Sequence, residues 1–266
     1  LNNNKLTGSI PTGFSDLRQM VLNNNKLQSG DFTGIQSSEL LELTANNNEL
    51  IGQLRISVNA SKSLVVLGVQ NNLLSGNPFK SLDNVRNLRT LDLSSNAFTG
   101  EIPEDAFLRL SKLQTFVISS NCFTGTISEN ICQITDMKSI VLSSMSSGST
   151  CIWKFWDKTI FKNEFTGFTS EHKIEGTLPE CIFHMPNLTD FYAGGNKLSA
   201  KFPSTISEKL IKISLPYNSV YGTLPINIGQ SSNLKLFDVS NNFISGNISL
   251  FGNSGNSVNT SLDLKL

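Results

Sequence analysis

The sequence predicts an α/β repeat solenoid built around a parallel β-sheet, and three observations support that fold class. A frame of about 24 residues recurs along most of the 266-residue chain. Its clearest copy, residues 88–103, reads LRTLDLSSNAFTGEIP, with leucine at positions one, four and six and asparagine at position nine. The composition is 38% hydrophobic and rich in Asn, Ser and Gly. Such a composition suits many tight turns around a thin repeated core.

Each repeat is expected to contain a short β-strand around positions four to six. Leu91 and Leu93 occupy these positions in the clearest copy and alternate with a polar residue. That alternation is the period of a strand with one apolar side. Strands this short are not stable alone, so successive repeats should pair in parallel at about 4.8 Å. The prediction is one continuous sheet with a column of leucines behind it.

An asparagine closes the strand region of nine repeats. Its side-chain amide offers both donors and an acceptor, so an inward-facing copy can bond turn backbone groups that have no ladder partner. Stacked repeat on repeat, these side chains should form an asparagine ladder. Its predicted members are Asn4, Asn25, Asn48, Asn72, Asn96, Asn121, Asn196, Asn218 and Asn242.

After the asparagine, each repeat is expected to turn and return along the opposite, convex side. Glycine at position thirteen, Gly100 in the clearest copy, permits a turn that a Cβ would obstruct. An apolar residue near position nineteen, such as Val58 or Ile131, should fill the core from that side. We expect short turns or single-turn helices there.

One segment breaks the repeat. Met145 takes the asparagine position of its repeat, which then carries about 27 extra residues. We therefore divide the chain into repeats over 1–145, a non-repeat island over 146–173 and repeats over 174–266, with both ends inside a repeat, as in a fragment. Trp153 and Trp156 lie in the island, and disordered linkers are poor in aromatics. A folded island is expected, whose aromatics either form part of a ligand site or cover the island's own core.

Cysteines and glycosylation motifs favour an extracellular segment. An even, clustered set of four cysteines suits disulfides in an oxidising compartment, although free thiols remain the alternative. Three pairings are possible; the repeat positions favour Cys132 with Cys181, which leaves Cys122 for Cys151. Four Asn-X-Ser/Thr motifs are glycosylation candidates. They are Asn59, Asn187, Asn247 and Asn259.

Catalytic and cofactor chemistry is not indicated. The 21 basic and 21 acidic side chains give a net charge of zero, so charge draws the chain neither to nucleic acid nor to an anionic membrane. Its two histidines, His172 and His184, have no partner at metal-ligand spacing. No nucleophile triad or phosphate loop is visible. We predict a non-enzymatic protein without cofactor or metal.

The repeat resembles the plant-type leucine-rich repeat family. The pattern L-x-x-L-x-L-x-x-N-x-L-x-G-x-I-P is matched over about nine tenths of the chain, for example by LKLFDVSNNFISGNI. The resemblance implies a right-handed horseshoe with a parallel sheet on its concave face and a second short strand after the glycine. The sequence departs from the pattern with Ala200 in place of glycine, Ala45 and Ala193 in place of leucine, and the island.

The candidate binding surface is the solvent side of the predicted sheet. Positions two, three, five, seven and eight face outward and are free of packing, with amide and hydroxyl rows in the first half and aromatic and charged residues in the second. Binding energy concentrates in aromatic and charged side chains. The candidate ligand-binding residues are Arg89, Asp92, Gln114, Trp153, Trp156, Asp190, Tyr192, Lys212, Tyr217, Lys235 and Asp238.

Two function hypotheses follow. The first is a recognition module in the extracellular domain of a receptor or receptor-like protein, which binds a peptide, protein or glycan on the concave face near the island. The resemblance implies that signalling would be carried by another region. The second is a secreted solenoid without signalling: an enzyme inhibitor, an adhesive protein or an ice-contacting protein. An intracellular sensor is a distant third.

Overall fold

The structure is a computed structural model that describes residues 1–10, 12–143, 173–247 and 262–266. Met145, the two tryptophans, Cys151 and Asn259 lie outside the described residues.

The predicted parallel sheet is confirmed. Ten strands in chain order form one parallel sheet, here called the main sheet. Its strands are Gln19–Val21, Glu42–Thr44, Val66–Gly68, Thr90–Asp92, Thr115–Val117, Ser139–Val141, Asp190–Tyr192, Lys212–Ser214, Leu236–Asp238 and Asp263–Lys265. Ser139–Val141 pairs directly with Asp190–Tyr192, so the extra residues do not interrupt the sheet.

The strands lie one residue earlier than predicted. In the clearest repeat the strand is Thr90–Asp92, which corresponds to positions three to five. Leu91, at its centre, and Leu93, just after it, are both fully buried, as the apolar alternation requires. The strand ends before Leu93 because the chain begins to turn there, and Ser95 already has a left-handed φ of 54°. The outward positions are consequently three and five.

The second strand of each repeat starts earlier than the family pattern implied. Ala97–Glu101 begins directly after Asn96 and runs across Gly100, whose φ is 89°. These strands, here called flank strands, form parallel sheets of two, five and four members. They are Thr7–Gly8 and Lys26–Leu27; Ser29–Phe32, Ile51–Ile56, Leu73–Gly76, Ala97–Glu101 and Cys122–Thr124; and Glu175–Thr177, Lys197–Lys201, Ser219–Thr223 and Phe243–Ser245.

Short helices complete the repeats, as expected. Among the described residues, two are α-helical, Val58–Ser63 and Ala106–Arg109, and four are 3₁₀ turns. The turns are Pro78–Ser81, Glu129–Gln133, Glu180–His184 and Ile228–Gln230. Ile131 is fully buried, but Val58 is 62% exposed and does not fill the core. Ser57 caps the helix that begins at Val58, and Ala60 faces inward instead.

The position-nine asparagines carry a regular hydrogen-bond pattern. Asn96 Nδ2 donates to the carbonyls of Val69, Leu93 and Ser94 at 2.9, 3.2 and 3.1 Å, and its Oδ1 accepts from Leu74 N–H at 3.0 Å. The donation to the carbonyl three residues earlier recurs at Asn25, Asn48, Asn72, Asn121, Asn196, Asn218 and Asn242. Asn4 differs, since its side-chain amide donates to the carbonyls of Leu1 and Asn2.

Substitution of Asn96 tests the ladder. Asn96→Leu should lower the free energy of unfolding by about 1–3 kcal/mol, since the buried backbone groups lose their partner. Chemical denaturation of both proteins measures the change. Asn84→Leu, at an exposed position near the end of the preceding repeat, is the matched control. Equal midpoints for Asn96→Leu and the unmodified chain would contradict a stabilising ladder.

A chain of phenylalanines fills the core of the second half. Phe183 packs edge-on against Phe191 with ring centroids 5.8 Å apart and against Phe202 at 4.9 Å. Phe202 then contacts Phe237 at 5.8 Å. All four rings are at most 2% exposed. The core therefore consists of more than a leucine column.

A disulfide joins the two short turns on either side of the extra residues. Cys132, in Glu129–Gln133, is bonded to Cys181, in Glu180–His184, with their Cα atoms 5.9 Å apart. This is the pairing that the repeat positions favoured. Cys122 is also disulfide-bonded, and Cys151, which was predicted as its partner, lies outside the described residues.

Candidate functional site

The outward side of the main sheet presents two rows of side chains. In a typical strand the central residue is buried and the residues on either side of it are half-exposed, as in Ser139–Val141. Parallel pairing in register then aligns position three with position three and position five with position five across neighbouring strands. A ligand on this face would therefore contact these two rows of side chains, here called the grid, rather than a deep pocket.

Four of the predicted residues meet on three neighbouring strands. Asp190 is in register with Lys212, and Lys212 Nζ lies 3.6 Å from Asp190 Oδ1. Thr189 Oγ1 donates to the other carboxylate oxygen of Asp190 at 2.6 Å. In the second row, Tyr192 lies two strands from Asp238. The structure therefore brings the charged and aromatic candidates of the second half together.

Asp92 and Asp238 have a structural role besides their predicted place on the outward face. Asp92 Oδ1 accepts from the N–H of Ser94 at 3.0 Å and from its hydroxyl at 2.6 Å. Asp238 Oδ1 bonds Ser240 in the same way, at 3.1 and 2.7 Å. One oxygen of each carboxylate thus holds the turn after its strand. A ligand could contact the other oxygen of Asp92, whereas Asp238 is buried and its second oxygen lies 4.0 Å from Lys265 Nζ.

Tyr217 and Lys235 lie at the borders of the grid. Tyr217 follows the strand at position eight, with a left-handed φ of 56°, and is 65% exposed. The preceding Pro216 packs so closely on Gly194 that a Cβ there would lie 2.8 Å from the proline ring. Lys235 precedes its strand and is exposed. Both side chains can contact only the rim of a ligand on the grid.

The candidates of the first half lie on the same sheet but farther away. Arg89 is exposed and neighbours the partly buried Gln114, whose N–H donates to the Arg89 carbonyl at 2.8 Å. The strand Ser139–Val141 separates Gln114 from Asp190. These residues share one continuous face without forming a compact cluster. Trp153 and Trp156 are outside the described residues.

An apolar stripe that was not predicted lies at the centre of the grid. Val117, Val141 and Tyr192 are in register at position five on three neighbouring strands, and each is only half-buried. The stripe adjoins the Asp190–Lys212 pair. The sequence contained its signal, because Val117 and Val141 occupy position five in two consecutive repeats directly before Tyr192.

A second amide ladder runs along the edge of the main sheet. At position eight, Asn24 Nδ2 donates to Asn3 Oδ1 at 2.7 Å, Asn47 to Asn24 at 2.8 Å and Asn71 to Asn47 at 2.8 Å. All four residues are exposed and have left-handed φ between 55° and 57°. Asparagine adopts that conformation more readily than most side chains. The polar array predicted for the first half is therefore internally hydrogen-bonded.

Three predicted glycosylation sites can be located. Asn59, Asn187 and Asn247 are exposed, while Asn259 falls outside the described residues. Asn59 Nδ2 donates to Gln36 Oε1 at 3.3 Å, and Asn187 Nδ2 donates to the Thr135 carbonyl at 3.0 Å. All three side chains can be reached from solvent.

The described residues contain neither a candidate membrane-spanning helix nor a candidate metal site. None of their helices combines the length and apolar character that a bilayer crossing requires. Across 1–10, 12–143, 173–247 and 262–266, no three His, Cys, Asp or Glu side chains are grouped as metal ligands.

Comparison with known proteins identifies the repeat. The family model described as Leucine rich repeat matches residues 62–123 and 86–144. Receptor-like protein 39 of Arabidopsis thaliana is 31% identical over 258 residues, which cover 88% of this chain and 27% of that protein. Receptor-like protein kinase BRI1-like 3 of the same species is 34% identical over 112 residues, covering 39% of this chain and 10% of that protein. The chain thus spans about a quarter or less of the curated relatives it matches.

Solved structures show the same architecture. The Arabidopsis receptor kinase HAESA, in complex with the peptide hormone IDA and the co-receptor SERK1, superposes with a TM-score of 0.72 at 26% identity. That alignment covers 92% of this chain and 38% of the receptor. A plant ice-binding protein superposes with a TM-score of 0.67 at 20% identity, covering 94% of this chain and 75% of that protein. The second likeness concerns the fold alone.

Proposed function

This chain belongs to the plant-type leucine-rich repeat family, and on that basis we propose that it is a recognition segment from the extracellular domain of a receptor-like protein. Its ligand would lie on the outward side of the main sheet, across the strands that flank the extra residues. Signalling would belong to another part of the protein, and the segment itself would not be catalytic.

The half-buried stripe of Val117, Val141 and Tyr192 carries the proposal. Apolar side chains on the solvent side of a sheet gain free energy when a ligand covers them, at about 25 cal/mol per Å². Asp190 and Lys212 supply opposite charges beside that stripe and can orient polar groups of the ligand. This combination of an apolar centre and a polar rim is the usual anatomy of a protein interface.

An extended peptide is the ligand class that we favour. The grid is flat and periodic, so a chain with alternating side chains can place its apolar groups on the stripe and its polar groups on the charged row. HAESA, which shares the fold at 26% identity, forms a complex with a peptide hormone. A protein or glycan ligand would use the same surface with different contacts.

The disulfides favour a cell-surface or secreted location. The Cys132–Cys181 bond and the bonded state of Cys122 require an oxidising compartment to persist. The exposed motifs at Asn59, Asn187 and Asn247 would be available for glycosylation there.

Peptide selection tests the proposed function. A phage-displayed library of random dodecapeptides, panned against the immobilised chain, should yield a consensus that binds in solution. Tyr192→Ala should weaken that binding about 30-fold, because removal of a central aromatic anchor costs about 2 kcal/mol.

Tyr221→Ala is the matched control, since Tyr221 is 48% exposed on a flank strand, away from the main sheet. It should leave affinity unchanged. A library that yields no consensus, or a consensus equally sensitive to both variants, would count against a ligand site on the grid.

A second candidate is a secreted solenoid that contacts ice. The observation in its favour is the exposed, hydrogen-bonded row Asn3, Asn24, Asn47 and Asn71, which repeats at the strand spacing. Thermal hysteresis measured by nanolitre osmometry would support this candidate if it disappeared in Asn24→Ala/Asn47→Ala. Freezing behaviour equal to that of serum albumin at the same concentration would eliminate it.

A further inference from the structure

A row of side chains with a positive charge runs along one border of the grid. It consists of the position-two residues that directly precede six consecutive strands of the main sheet, and it is here called the border row. Its members are Arg89, Gln114, Lys138, Thr189, Ile211 and Lys235. Three of these six residues are basic and none is acidic. The border row is therefore positive, although the chain as a whole is neutral.

The backbone explains why position two can share the outward side of the sheet with position three. The N–H groups of Thr189 and Asp190 both donate to the Lys138 carbonyl, at 2.9 and 3.1 Å. The Ile211 carbonyl is shared in the same way by Lys235 and the residue that follows it, at 2.7 and 3.2 Å. Two successive N–H groups on one acceptor interrupt the alternation of a regular strand, as in a β-bulge. Both side chains can then lie on the outward side.

The two lysines of the border row have no carboxylate partner in the part of the chain that the structure describes. Lys138 and Lys235 are both exposed. The neighbouring Lys212, at position three, is neutralised by Asp190 at 3.6 Å. Asp263, one strand beyond Lys235, is paired with a lysine of its own strand at 3.9 Å. The ammonium groups of Lys138 and Lys235 are thus open to acidic groups of a ligand.

The separation of these lysines matches the repeat of an extended peptide. Lys138 and Lys235 precede strands that are three steps apart in the main sheet. At about 4.8 Å per step, about 14 Å lies between their backbones. In an extended chain, residues i, i+2 and i+4 point to one side and span about 14 Å. Carboxylates at i and i+4 can therefore each meet one lysine, while i+1 and i+3 point toward the apolar stripe.

We propose that the border row selects peptides whose acidic side chains at i and i+4 pair with Lys138 and Lys235. This assignment rests on the proposed peptide recognition and specifies the charges that the peptide carries and their spacing. The intervening residue i+2 passes over Thr189 and Ile211, which are half-buried and uncharged, so it needs no charge of its own.

A peptide suits this border better than an anionic glycan does. The lysines lie beside the stripe of Val117, Val141 and Tyr192, so the ligand must offer negative groups on one edge and apolar groups on the other. Alternating side chains of an extended peptide meet both demands at once.

Three capped pentapeptides test the spacing, with dissociation constants taken from nuclear magnetic resonance titrations of the ¹⁵N-labelled chain. Glu-Leu-Ser-Leu-Glu has carboxylates at i and i+4, its isomer Glu-Leu-Glu-Leu-Ser has them at i and i+2, and Gln-Leu-Ser-Leu-Gln has none. At low ionic strength the first should bind about tenfold tighter than the third and about threefold tighter than its isomer, since exposed ion pairs are individually weak. A salt concentration of about 0.3 M should remove most of this preference.

Substitution of the lysines tests which side chains are responsible. Lys138→Gln and Lys235→Gln should each weaken binding of Glu-Leu-Ser-Leu-Glu about threefold and leave Gln-Leu-Ser-Leu-Gln unaffected. Lys80→Gln is the matched control, because it removes the same charge from an exposed position on the turn Pro78–Ser81. It should change neither affinity.

Three outcomes would overturn the assignment. The first is the absence of any preference among the three pentapeptides, and the second is unchanged binding of Glu-Leu-Ser-Leu-Glu in both lysine variants. The third is binding of polygalacturonate, an anionic glycan, that depends on Lys235 but not on Tyr192 while no pentapeptide binds. Library-selected peptides that need Tyr192 but carry no acidic residue would refute the charge pattern and leave the proposed function intact.

Discussion

Phe183→Ala is expected to lower the free energy of unfolding by about 3–5 kcal/mol. Phe183 is fully buried and is the central ring between Phe191 and Phe202. Its removal loses apolar burial, two ring contacts and the support that it gives to a strand of the main sheet, Asp190–Tyr192. The repeat core is thin, so few neighbours can move into the cavity. Chemical denaturation monitored by circular dichroism measures the loss.

Two further substitutions make this measurement specific. Phe183→Leu keeps much of the volume and should cost less than the alanine substitution. Phe243→Ala removes a ring that is 69% exposed and should change stability by no more than about 0.5 kcal/mol. Similar losses at Phe183 and Phe243 would mean that the phenylalanine chain does not stabilise the core.

The repeat architecture could be predicted because one frame encodes it many times. Leu91 and Leu93 fix which side of a strand is buried, and stacking propagates that choice to every neighbour. The spacing of Asn96 from the strand likewise fixes the turn that it bonds. An error of one residue in strand position had little effect, since the buried side chains were assigned from alternation.

Features that depend on contacts between repeats were harder to predict. Val58 fits the apolar frame but begins a helix, which Ser57 caps by accepting from the N–H of Ala60, and it faces outward. The contacts among Phe183, Phe191, Phe202 and Phe237 join residues up to 35 positions apart in sequence and follow no spacing within one repeat. Both outcomes are set by packing and capping rather than by periodicity.

In the candidate site, too, the repeat frame predicts some features and contacts between side chains decide the others. Membership of the outward face followed from the frame, so Asp190, Tyr192 and Lys212 could be placed on it in advance. Which oxygens are free could not be known, because Asp92 and Asp238 were assigned to ligand contact while one oxygen of each holds a turn.

The disulfide and the continuous sheet together explain how the solenoid accommodates the extra residues. On one side, Ser139–Val141 pairs with Asp190–Tyr192 as adjacent repeats normally do. On the other, Cys132 and Cys181 tie neighbouring turns together across a sequence separation of 49. Between these two connections the chain continues from Ser143 to Lys173 without separating the repeats. The bond therefore closes a long loop at a point where the repeat pattern lapses.

Removing this bond should produce a large loss. In the loop-entropy model, closing about 50 residues restricts the unfolded chain by about 4 kcal/mol, and typical measured values are about 2–4 kcal/mol. Cys132→Ala/Cys181→Ala should therefore lower the melting temperature by about 5–15 °C. Dithiothreitol should destabilise the unmodified protein at least as much, because it also reduces the bond of Cys122, and it should affect the double variant less. Equal melting temperatures for the double variant and the oxidised parent would show that sheet pairing alone holds the repeats together.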